Sequence, residues 1–312
     1  MKEITKDDLF NALLRERLML IKRVVTEEHD EEEFAMSWSG GKDSCVMSAL
    51  FDMALPNNRI PRVYANTALD LSIMRDFIKE EMKRDDRIVE IKPTVNVKEM
   101  LERDGYPFSS KKHSKVVSTY QRLGFEGSHL VRRYLGKHED GRKWSSRNSC
   151  PKCLEYMFTP EFTKRLKVSN LCCKRMKEEP IDKWVKENGY KYGILGLMAE
   201  EGGLRSNITC FAFRNNKFKN FQPLAPLTKE WEDWFVEKYE VRICDIYKPP
   251  YNNQRTGCKG CPFSLHLQEE LDMLQEYFPN DRKACEKLWK PVYDEYRRIG
   301  YRLKKGDVYE AD

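Results

Sequence analysis

The stretch Phe34-Ala35-Met36-Ser37-Trp38-Ser39-Gly40-Gly41-Lys42-Asp43-Ser44 decides the fold expected for this chain. Its apolar first half predicts a buried strand that ends at Trp38, because parallel strands covered on both faces read as continuous apolar runs. The apolar residues that follow recur at helical spacing and predict a helix that begins near Asp43. A strand, a glycine turn and a helix in this order are typical of an α/β nucleotide-binding unit.

The turn itself, residues 39–44 and here called the SGGKDS loop, has the composition of a phosphate site. Backbone amides at a helix start face an anion, and the helix dipole favours negative charge there. Gly40 and Gly41 allow the main chain to approach an oxyanion, Lys42 supplies a point charge, and the serine hydroxyls are donors. The G-x-x-x-x-G-K spacing of a Walker loop is missing, so this is a phosphate loop of another kind.

The strands expected downstream extend the same pattern. Residues 62–67, 87–92 and 192–197 read as further strands, with a helix at 71–84 between the first two. We therefore expect a doubly wound, mostly parallel α/β sheet with helical additions, and ligands at the carboxyl ends of its strands. Asn66 and Thr67 lie at such an end. Residues 229–238 and 267–302 read as helices, in which Trp231 and Trp234 are packing residues.

Length and charge set the broad class. With 312 residues the chain exceeds the usual single-domain size, and a net charge of +6 suits anionic ligands such as nucleotides. No apolar run approaches the roughly 20 residues of a membrane span, and the helical start lacks the apolar block of a signal peptide. These features predict a cytoplasmic protein with no membrane partner.

Ten cysteines in a chain of this kind favour metal or sulfur chemistry over disulfides. Six of them form three close pairs: Cys150 and Cys153, Cys172 and Cys173, and Cys258 and Cys261. Two Cys-x-x-Cys pairs are typical of zinc, whereas directly adjacent cysteines favour an iron–sulfur cluster, so both centres stay open at this point.

One of these pairs and the four other cysteines have further interpretations. Cys150 and Cys153 could form a sulfur-relaying or redox pair, or half of a zinc site shared with a partner chain. Four others lie among apolar residues and are expected to be buried structural thiols: Cys45, Cys210, Cys244 and Cys285.

A basic segment between His129 and Cys153 suggests a nucleic-acid partner. Tyr134 and Trp144 are interleaved there with the basic residues Arg132, Arg133, Lys137, Arg142, Lys143, Arg147 and Lys152. Basic and aromatic side chains together can hold a phosphate backbone and stack bases. A solvated basic loop with no such partner is an equally good interpretation.

Several motifs occur in the order typical of one family. They are residues 39–44, Asn66-Thr67, Gly105-Tyr106-Pro107 with Ser110-Lys111, Cys172-Cys173, residues 196–205, Pro223-Leu224 with Trp231, and residues 255–263. Over residues 34–290 the chain resembles the phosphoadenosine phosphosulfate (PAPS) reductase family in the broad sense, within the PP-loop, or adenine nucleotide alpha-hydrolase, superfamily. Residues 123–168 do not fit this pattern and read as an insertion.

The resemblance implies a set of site residues. Nucleotide-binding residues would be Ser39, Gly40, Gly41, Lys42, Asp43, Ser44, Asn66, Thr67, Ser110, Lys111, Gly196, Glu200 and Arg205, of which Lys42, Asp43 and Arg205 would be catalytic. The cysteine pattern resembles that of bacterial adenylylsulfate reductases, which implies a 4Fe-4S cluster on Cys172, Cys173, Cys258 and Cys261. Zinc is the alternative.

The predicted domain organisation has three parts. Residues 1–33 would form an N-terminal helix, residues 34–265 the PP-loop domain with the basic insertion and the iron–sulfur segment, and residues 266–312 a C-terminal helical region.

Two departures from the reductases select among reactions. Assimilatory reductases of the family use a cysteine in a Glu-Cys-Gly motif near the C-terminus, and this chain has none. The SGGKDS motif, by contrast, is complete, as it is in enzymes that split ATP to AMP and pyrophosphate. The leading hypothesis is therefore an ATP- and Mg²⁺-dependent sulfur-transfer enzyme that acts on nucleic acid or another adenylated acceptor.

Two alternatives remain. One is a reductase or sulfotransferase that uses an adenylyl sulfonucleotide (APS or PAPS) in place of ATP; the other is a nucleotide-gated partner protein that senses redox state. A sulfur-donor protein and a second copy of the chain are further partners that the sequence leaves open.

Overall fold

The structure, a computed structural model, describes residues 4–136, 149–202, 205–253 and 257–306. The chain folds into two compact units. Unit 1 consists of Met1–Ala68, Ser72–Lys92 and Pro180–Thr256, and unit 2 of Leu69–Leu71, Pro93–Glu179 and Gly257–Asp312. Within the part of the chain that is described, no helix is both long and apolar enough to cross a membrane.

Unit 1 contains a six-stranded sheet. Its strands are β1 Phe34–Ser37, β2 Arg62–Ala65, β3 Ile88–Ile91, β4 Tyr192–Leu195, β5 Phe211–Arg214 and β6 Lys217–Phe221, in the order β3-β2-β1-β4-β6-β5. All neighbours are parallel except β5 and β6. The mostly parallel α/β fold expected from the sequence is confirmed. Because β1 has β2 on one side and β4 on the other, the strand order reverses at β1 and forms a switch point there.

The helices of the described residues cover both units. They are α1 Lys6–Lys22, α2 Lys42–Ala54, α3 Ser72–Arg84, α4 Val97–Asp104, α5 Lys111–Leu123, α6 His129–Tyr134, α7 Pro160–Arg165, α8 Glu179–Glu187, α9 Lys229–Lys238, α10 Leu267–Tyr277 and α11 Pro279–Ile299. Two π-helical turns, Arg23–Glu27 and Lys174–Glu178, and a 3₁₀ helix at Lys152–Met157 add to these. The predicted helical region 267–302 is thus two helices, separated at Phe278.

The core of unit 1 lies where α1, α2 and α9 cover the sheet. Phe34 and Met36 of β1 are fully buried against apolar side chains of these helices, including Phe51 and Trp231. The Trp231 indole N–H donates to the Phe10 carbonyl at 3.1 Å, so the packing role expected for this residue is confirmed. Burying side chains of this size contributes roughly 1.5–3 kcal/mol each to the stability of the fold.

One expectation about the cysteines is wrong. Cys45, Cys244 and Cys285 are buried as expected, but Cys210 is only partly buried. Its sulfur accepts a hydrogen bond from the Arg17 guanidinium at 3.1 Å. Arg17 is itself buried and needs acceptors there, which explains why a polarisable thiol lies at this position rather than an aliphatic side chain.

Unit 2 is built around α11. Trp289, Tyr293 and Tyr296 of this helix are fully buried, and the rings of Tyr296 and Phe108 are 4.5 Å apart. The predicted insertion 123–168 belongs to this unit, where α6, α7 and the 3₁₀ helix are formed. Residues 137–148, which carry much of its basic charge, lie outside the described residues.

Candidate functional site

The SGGKDS loop follows β1 at the switch point of the sheet and leads directly into α2. Gly40 has a φ of +72°, and a Cβ there would lie 2.6 Å from Cγ1 of Ile78. Both the left-handed backbone and the missing space require glycine at this position. The close approach of loop and side chain therefore fixes the path of the main chain at the carboxyl end of β1.

The two serines of the loop hydrogen-bond within it. The Ser44 hydroxyl donates to the Gly41 carbonyl at 2.8 Å, and the Ser39 hydroxyl accepts from the Gly41 N–H at 3.3 Å. The Ser39 N–H also donates to the Ser44 hydroxyl at 3.2 Å. These contacts hold the turn in shape, a role in addition to the direct phosphate contacts expected from the sequence.

The start of α2 has no side-chain cap, which leaves it open to a ligand. Its N-cap residue, Gly41, has an extended backbone and provides no side-chain cap. The first turn of a helix has amide groups without partners in the helix, and a cap usually satisfies some of them. An anion at this end would use those amides and the positive end of the helix dipole.

Charged side chains of α2 and α9 meet beside the loop. The Lys229 ammonium lies 2.6 Å from Asp43 Oδ1 and 3.1 Å from Glu232 Oε2. The Lys42 ammonium lies 2.7 Å from Asp233 Oδ1 and 3.3 Å from the same Glu232 oxygen. Two residues predicted to be catalytic, Lys42 and Asp43, are therefore brought together by α9.

Burial shapes the protonation of this group. The Glu232 side chain is only 1% exposed, and this burial, with the nearby Asp43 carboxylate, raises the pKa of Glu232. Burial acts in the same direction on Asp43, but contacts with Glu232 and Lys229 outweigh it and hold the pKa of Asp43 below its ordinary value. One carboxyl group of the two is thus biased toward its neutral form and the other toward its charged form.

Sequence reasoning missed Glu232 and Lys229. The helix that carries them was recognised by its tryptophans, and no role was assigned to its charged residues. The available signal was position: Glu232 directly follows the buried Trp231, and Lys229 lies one turn earlier on the same side of the helix.

The ends of β2 and β4 carry other predicted nucleotide residues. The Asn66 side-chain oxygen accepts the Ala68 N–H at 3.0 Å and shapes the turn after β2, where Thr67 is buried. Gly196 follows β4, and a Cβ there would lie 3.3 Å from the Asp43 carbonyl oxygen. The end of β4 therefore lies directly against the start of α2.

Glu200 and Arg205 make structural contacts of their own. The Glu200 carboxylate accepts the backbone N–H of Lys229, at the start of α9. The Arg205 guanidinium pairs with the Glu201 carboxylate one turn away. Both residues lie in unit 1, on the segment that follows β4.

Ser110 and Lys111 belong to unit 2. Ser110 is the N-cap of α5, and its hydroxyl accepts the His113 N–H at 3.1 Å. The Lys111 ammonium lies 3.4 Å from Glu178 and is more than half exposed. In this structure the two residues therefore have local roles within unit 2.

The four-cysteine group, Cys172, Cys173, Cys258 and Cys261, is also part of unit 2. Cys172 is buried and the other three are partly exposed. Surrounding protein and the neighbouring cysteine sulfurs raise the pKa of the Cys172, Cys258 and Cys261 thiols. Because each of these thiols is influenced by others of the group, the four sulfurs face a shared region.

The turn between Cys258 and Cys261 is held from several sides. Gly260 has a φ of +56°; its N–H donates to the Glu270 carboxylate at 2.9 Å, and its carbonyl accepts the Tyr293 hydroxyl. The Trp289 indole N–H donates to the Lys259 carbonyl at 3.1 Å. Helices α10 and α11 thereby preorganise one of the two cysteine pairs.

Lys177 lies close to the four-cysteine group. The Cys258 sulfur raises the pKa of the Lys177 ammonium, which is within hydrogen-bonding reach of it, and Asp70 acts in the same direction. Lys177 belongs to the π-helical turn that directly follows the Cys172-Cys173 pair. A fixed positive charge at this position stabilises thiolate over thiol.

Four thiols are a donor set that either a zinc ion or an iron–sulfur cluster accepts. Among the described residues, no three or more Cys, His, Asp or Glu side chains converge as closely as the ligands of one metal ion. Thiols kept neutral by their surroundings become thiolates when a metal centre replaces their protons, and a cluster accepts four of them.

Cys150 and Cys153 differ from each other in burial. Cys150 is buried and Cys153 is exposed. Burial raises the pKa of Cys150 to about 12, with smaller effects from Glu155 and Cys153. The Cys150 N–H donates to the Tyr134 carbonyl at 2.7 Å, which fixes this end of the pair to α6.

Comparisons with known proteins give structural likenesses. No protein-family model and no curated protein matches the sequence. The phosphoadenylyl-sulfate (PAPS) reductase of Candida auris, in a phosphate complex, is 10% identical, with 82% of this chain and 96% of that chain covered and a TM-score of 0.45.

Two other solved structures are similar at this level. FMN adenylyltransferase of Candida glabrata, in complex with FMN and the ATP analogue AMPCPP, is 12% identical, with 84% and 70% covered and a TM-score of 0.45. The tRNA thiolase NcsA of Methanococcus maripaludis, with its 4Fe-4S cluster, is 13% identical, with 93% and 80% covered and a TM-score of 0.39.

Likenesses at this level assign neither a family nor a reaction to the chain. The features of the chain itself are an intact SGGKDS loop, a strand order that reverses at the strand before it, and family motifs in the expected order. The described residues form a mostly parallel α/β fold with an SGGKDS loop at its switch point.

Proposed function

We propose that this protein is an ATP-dependent sulfur-transfer enzyme that splits ATP to AMP and pyrophosphate and carries an iron–sulfur cluster. The observation that carries the proposal is the SGGKDS loop at the switch point of the sheet, where Gly40 brings the main chain to the uncapped start of α2. That arrangement suits the pyrophosphate part of a nucleoside triphosphate.

The reaction would have two stages. An oxygen of the acceptor attacks the α-phosphorus of ATP, the bond from that phosphorus to the bridging oxygen breaks, and pyrophosphate leaves. Lys42, together with the Mg²⁺ that accompanies ATP, would neutralise the charge that develops on the leaving group. A sulfur donor then displaces AMP from the adenylated acceptor.

The four-cysteine group supports the sulfur half of the proposal. Cys172, Cys173, Cys258 and Cys261 would hold a 4Fe-4S cluster, and Lys177 would offset its negative charge. When bound, such a cluster can supply a site for sulfur or electrons. The residues of the chain would hold it in place and limit its contact with water, since α10 and α11 fix one cysteine pair.

Cys285 supports this proposal over a sulfonucleotide reductase. It is the last cysteine of the chain, and it is buried in α11, where burial raises its pKa to about 12. A reductase of the resembled type needs an exposed, reactive thiolate to attack its substrate. Cys285 does not meet that requirement.

The acceptor is proposed to be a nucleic acid. Supporting this, Arg132 and Arg133 lie on α6 beside Tyr134, and more basic residues follow in the sequence. Basic and aromatic side chains in one segment suit a phosphate backbone with stacked bases.

Pyrophosphate release from ATP tests the proposal. Protein purified without oxygen would be assayed with and without RNA or DNA acceptors, and we expect release that depends on an acceptor. Lys42→Ala should abolish it, whereas Lys22→Ala, at the C-terminal end of α1, should not. The absence of turnover in every iron-loaded preparation would contradict the proposal, and tight binding of adenylylsulfate with weak binding of ATP would favour the reductase.

A further inference from the structure

The antiparallel strands β5 and β6 form a hairpin at one edge of the sheet of unit 1. Two residues, Asn215 and Asn216, join the strands with φ values of +51° and +58°, and a type I′ turn requires a positive φ at both positions. Arg214 and Lys217, on either side of this turn, are directly opposite each other in the strand register. The tip of the hairpin therefore places two cations side by side.

This arrangement of charge is unfavourable for the hairpin alone, because like charges directly opposite each other destabilise a strand pair. Lys219 adds a third cation, and the sequence contains no Asp or Glu between residues 206 and 228. The side chains of Arg214, Lys217 and Lys219 are exposed, and none of them forms an ion pair or hydrogen bond with another described residue. We call residues 213–219 the basic hairpin. Its three basic side chains are available to an anionic ligand.

An exposed aromatic ring lies beside these charges. Phe213 precedes Arg214 and is 65% exposed. Its ring lies 6.1 Å from that of Phe218, the residue opposite it, and the Phe218 ring stacks on His29 at 5.2 Å. Phe213 is thus the outer member of a row of rings held by unit 1. A ring in this position offers a nucleic-acid base a surface for stacking.

Charge and aromatic exposure together select the kind of partner. A second copy of the chain paired along β5 would bring more like charges together, which disfavours it. An acidic protein would neutralise the cations but would leave the Phe213 ring without a specific role. A single-stranded nucleic acid uses both features, since its phosphates pair with cations and its unpaired bases stack on rings. The exposed amides of Asn215 and Asn216 add donors and acceptors for base edges.

We propose that the basic hairpin binds a single-stranded nucleic acid, with its three basic side chains on phosphates and a base on Phe213. The choice of nucleic acid among polyanions rests on the proposed function, whereas the negative charge of the ligand rests on the hairpin alone. Because β6 runs parallel to β4 and β1, the tip lies at the end of the sheet opposite the SGGKDS loop, roughly 15 Å away along β6. The basic hairpin therefore holds the acceptor at a distance from the reacting phosphates.

Fluorescence anisotropy with labelled single strands tests the proposal. RNA and DNA oligonucleotides of about 20 nucleotides, longer than one such binding site, would be titrated at a series of potassium chloride concentrations without ATP. For wild-type protein we expect the logarithm of the affinity to fall linearly with that of the salt concentration, because protein cations displace counterions from the phosphates. Lys217→Gln and Lys219→Gln should each weaken binding and reduce this slope by about 0.7, the value for one phosphate contact on a single strand.

Two further variants separate stacking from charge and from general effects. Phe213→Thr removes the ring but keeps a residue suited to a strand, and it should weaken binding about fivefold or more with an unchanged slope. Lys83→Gln is the matched control for charge, because Lys83 is an exposed residue of α3, which contacts β3 at the other edge of the sheet. It should bind as the wild type does. Equal midpoints in urea would show that every variant keeps its fold.

The outcomes distinguish this proposal from the proposed function. Wild-type affinity and slope in both lysine variants would overturn it, as would wild-type protein that binds neither oligonucleotide. Poly-glutamate that competes as strongly as the oligonucleotides would show that the basic hairpin takes acidic proteins instead. Reduced slopes in a protein that never releases pyrophosphate from ATP would uphold the basic hairpin and reject the proposed function.

Discussion

The Tyr293 hydroxyl donates a hydrogen bond to the carbonyl of Gly260, the residue between Lys259 and Cys261 in the Cys258-x-x-Cys261 turn. A single buried tyrosine of α11 thereby positions the main chain between two proposed cluster ligands. Gly260 also has a left-handed backbone and very little space around its α-carbon.

Gly260→Ala should destabilise unit 2 and reduce its iron content. A Cβ would meet the Tyr293 hydroxyl and lie 2.7 Å from the Cys285 sulfur. We expect a loss of about 1 to 3 kcal/mol in the free energy of unfolding, measured with urea. Gly257→Ala is the matched control, because among the described residues, apart from its chain neighbours, no atom lies within 4 Å of a Cβ there. Equal stability of the two variants would contradict the account of this turn.

Cys258→Ser should lose most of the iron expected in anaerobically purified protein, because serine would replace a thiolate ligand of the proposed cluster. Cys153→Ser should keep its iron and its absorption near 400 nm, since the pair at residues 150 and 153 lies outside the four-cysteine group. Iron and zinc analysis of both variants checks this. Loss of metal from Cys153→Ser would instead favour the zinc centre built from two Cys-x-x-Cys pairs.

Lys177→Gln should release iron to a chelator faster than wild type, by about tenfold, as is common when an outer partner of a metal ligand is removed. The cause is the loss of the positive charge that stabilises the Cys258 thiolate. Lys174→Gln removes an exposed charge from the same π-helical turn and serves as the control. Similar release rates in both variants would show that net charge alone matters.

Gly40→Ala should weaken nucleotide binding by about tenfold or more, because strain of about 1 to 3 kcal/mol at a positive φ is joined by a clash. The clash is with Cγ1 of Ile78, 2.6 Å from the added Cβ. Gly189→Ala is the control for backbone strain away from the loop and should bind ATP as the wild type does, since Gly189 has a φ of +78° and, apart from its chain neighbours, no described atom lies within 4 Å of a Cβ there. Equilibrium dialysis with labelled ATP measures the affinity of each variant.

His113 should make the protein less stable in mild acid. Burial lowers its pKa to about 4 from the usual 6.5, so the folded state favours the neutral ring. As pH falls from about 6.5 toward 4, the unfolded state binds a proton that the folded state does not, and the free energy of unfolding falls by at most about 3 kcal/mol. The stability that the neutral His113 ring contributes is fully present above the ordinary histidine pKa of 6.5, the value for the unfolded chain.

Urea unfolding at a series of pH values measures this effect. His113→Gln should flatten the dependence between pH 6.5 and 4, whereas His266→Gln, at an exposed position in the described chain, should leave it unchanged. A wild-type protein whose stability is constant over that range would contradict the role given to His113.

The sequence predicted the elements that have strong local signals. β1 is an unbroken apolar run followed by glycines, and α9 was expected over the residues that it occupies. β5 and β6 were missed because they form an edge hairpin rich in lysine and arginine. Their turn at Asn215 and Asn216, both with positive φ, was the available signal.

The candidate site was predicted only where residues are close in sequence. Ser39 to Ser44 and the cysteine pairs are local motifs, whereas the approach of Glu232 to Asp43 depends on how α9 packs against α2. The assignment of Leu69–Leu71 to unit 2 is likewise a product of tertiary contacts, because the Lys259 N–H donates to the Leu69 carbonyl at 2.7 Å. No local pattern encodes such contacts.

The distribution of the four cysteines along the chain sets an order of events during biosynthesis. Two of them precede α8 and two follow α9, and the second pair is held by α11, near the end of the described residues. A growing polypeptide cannot present all four sulfurs until nearly all of unit 2 has left the ribosome. The proposed cluster could therefore assemble only after Cys261 and the residues of α11 that hold its turn have been synthesised.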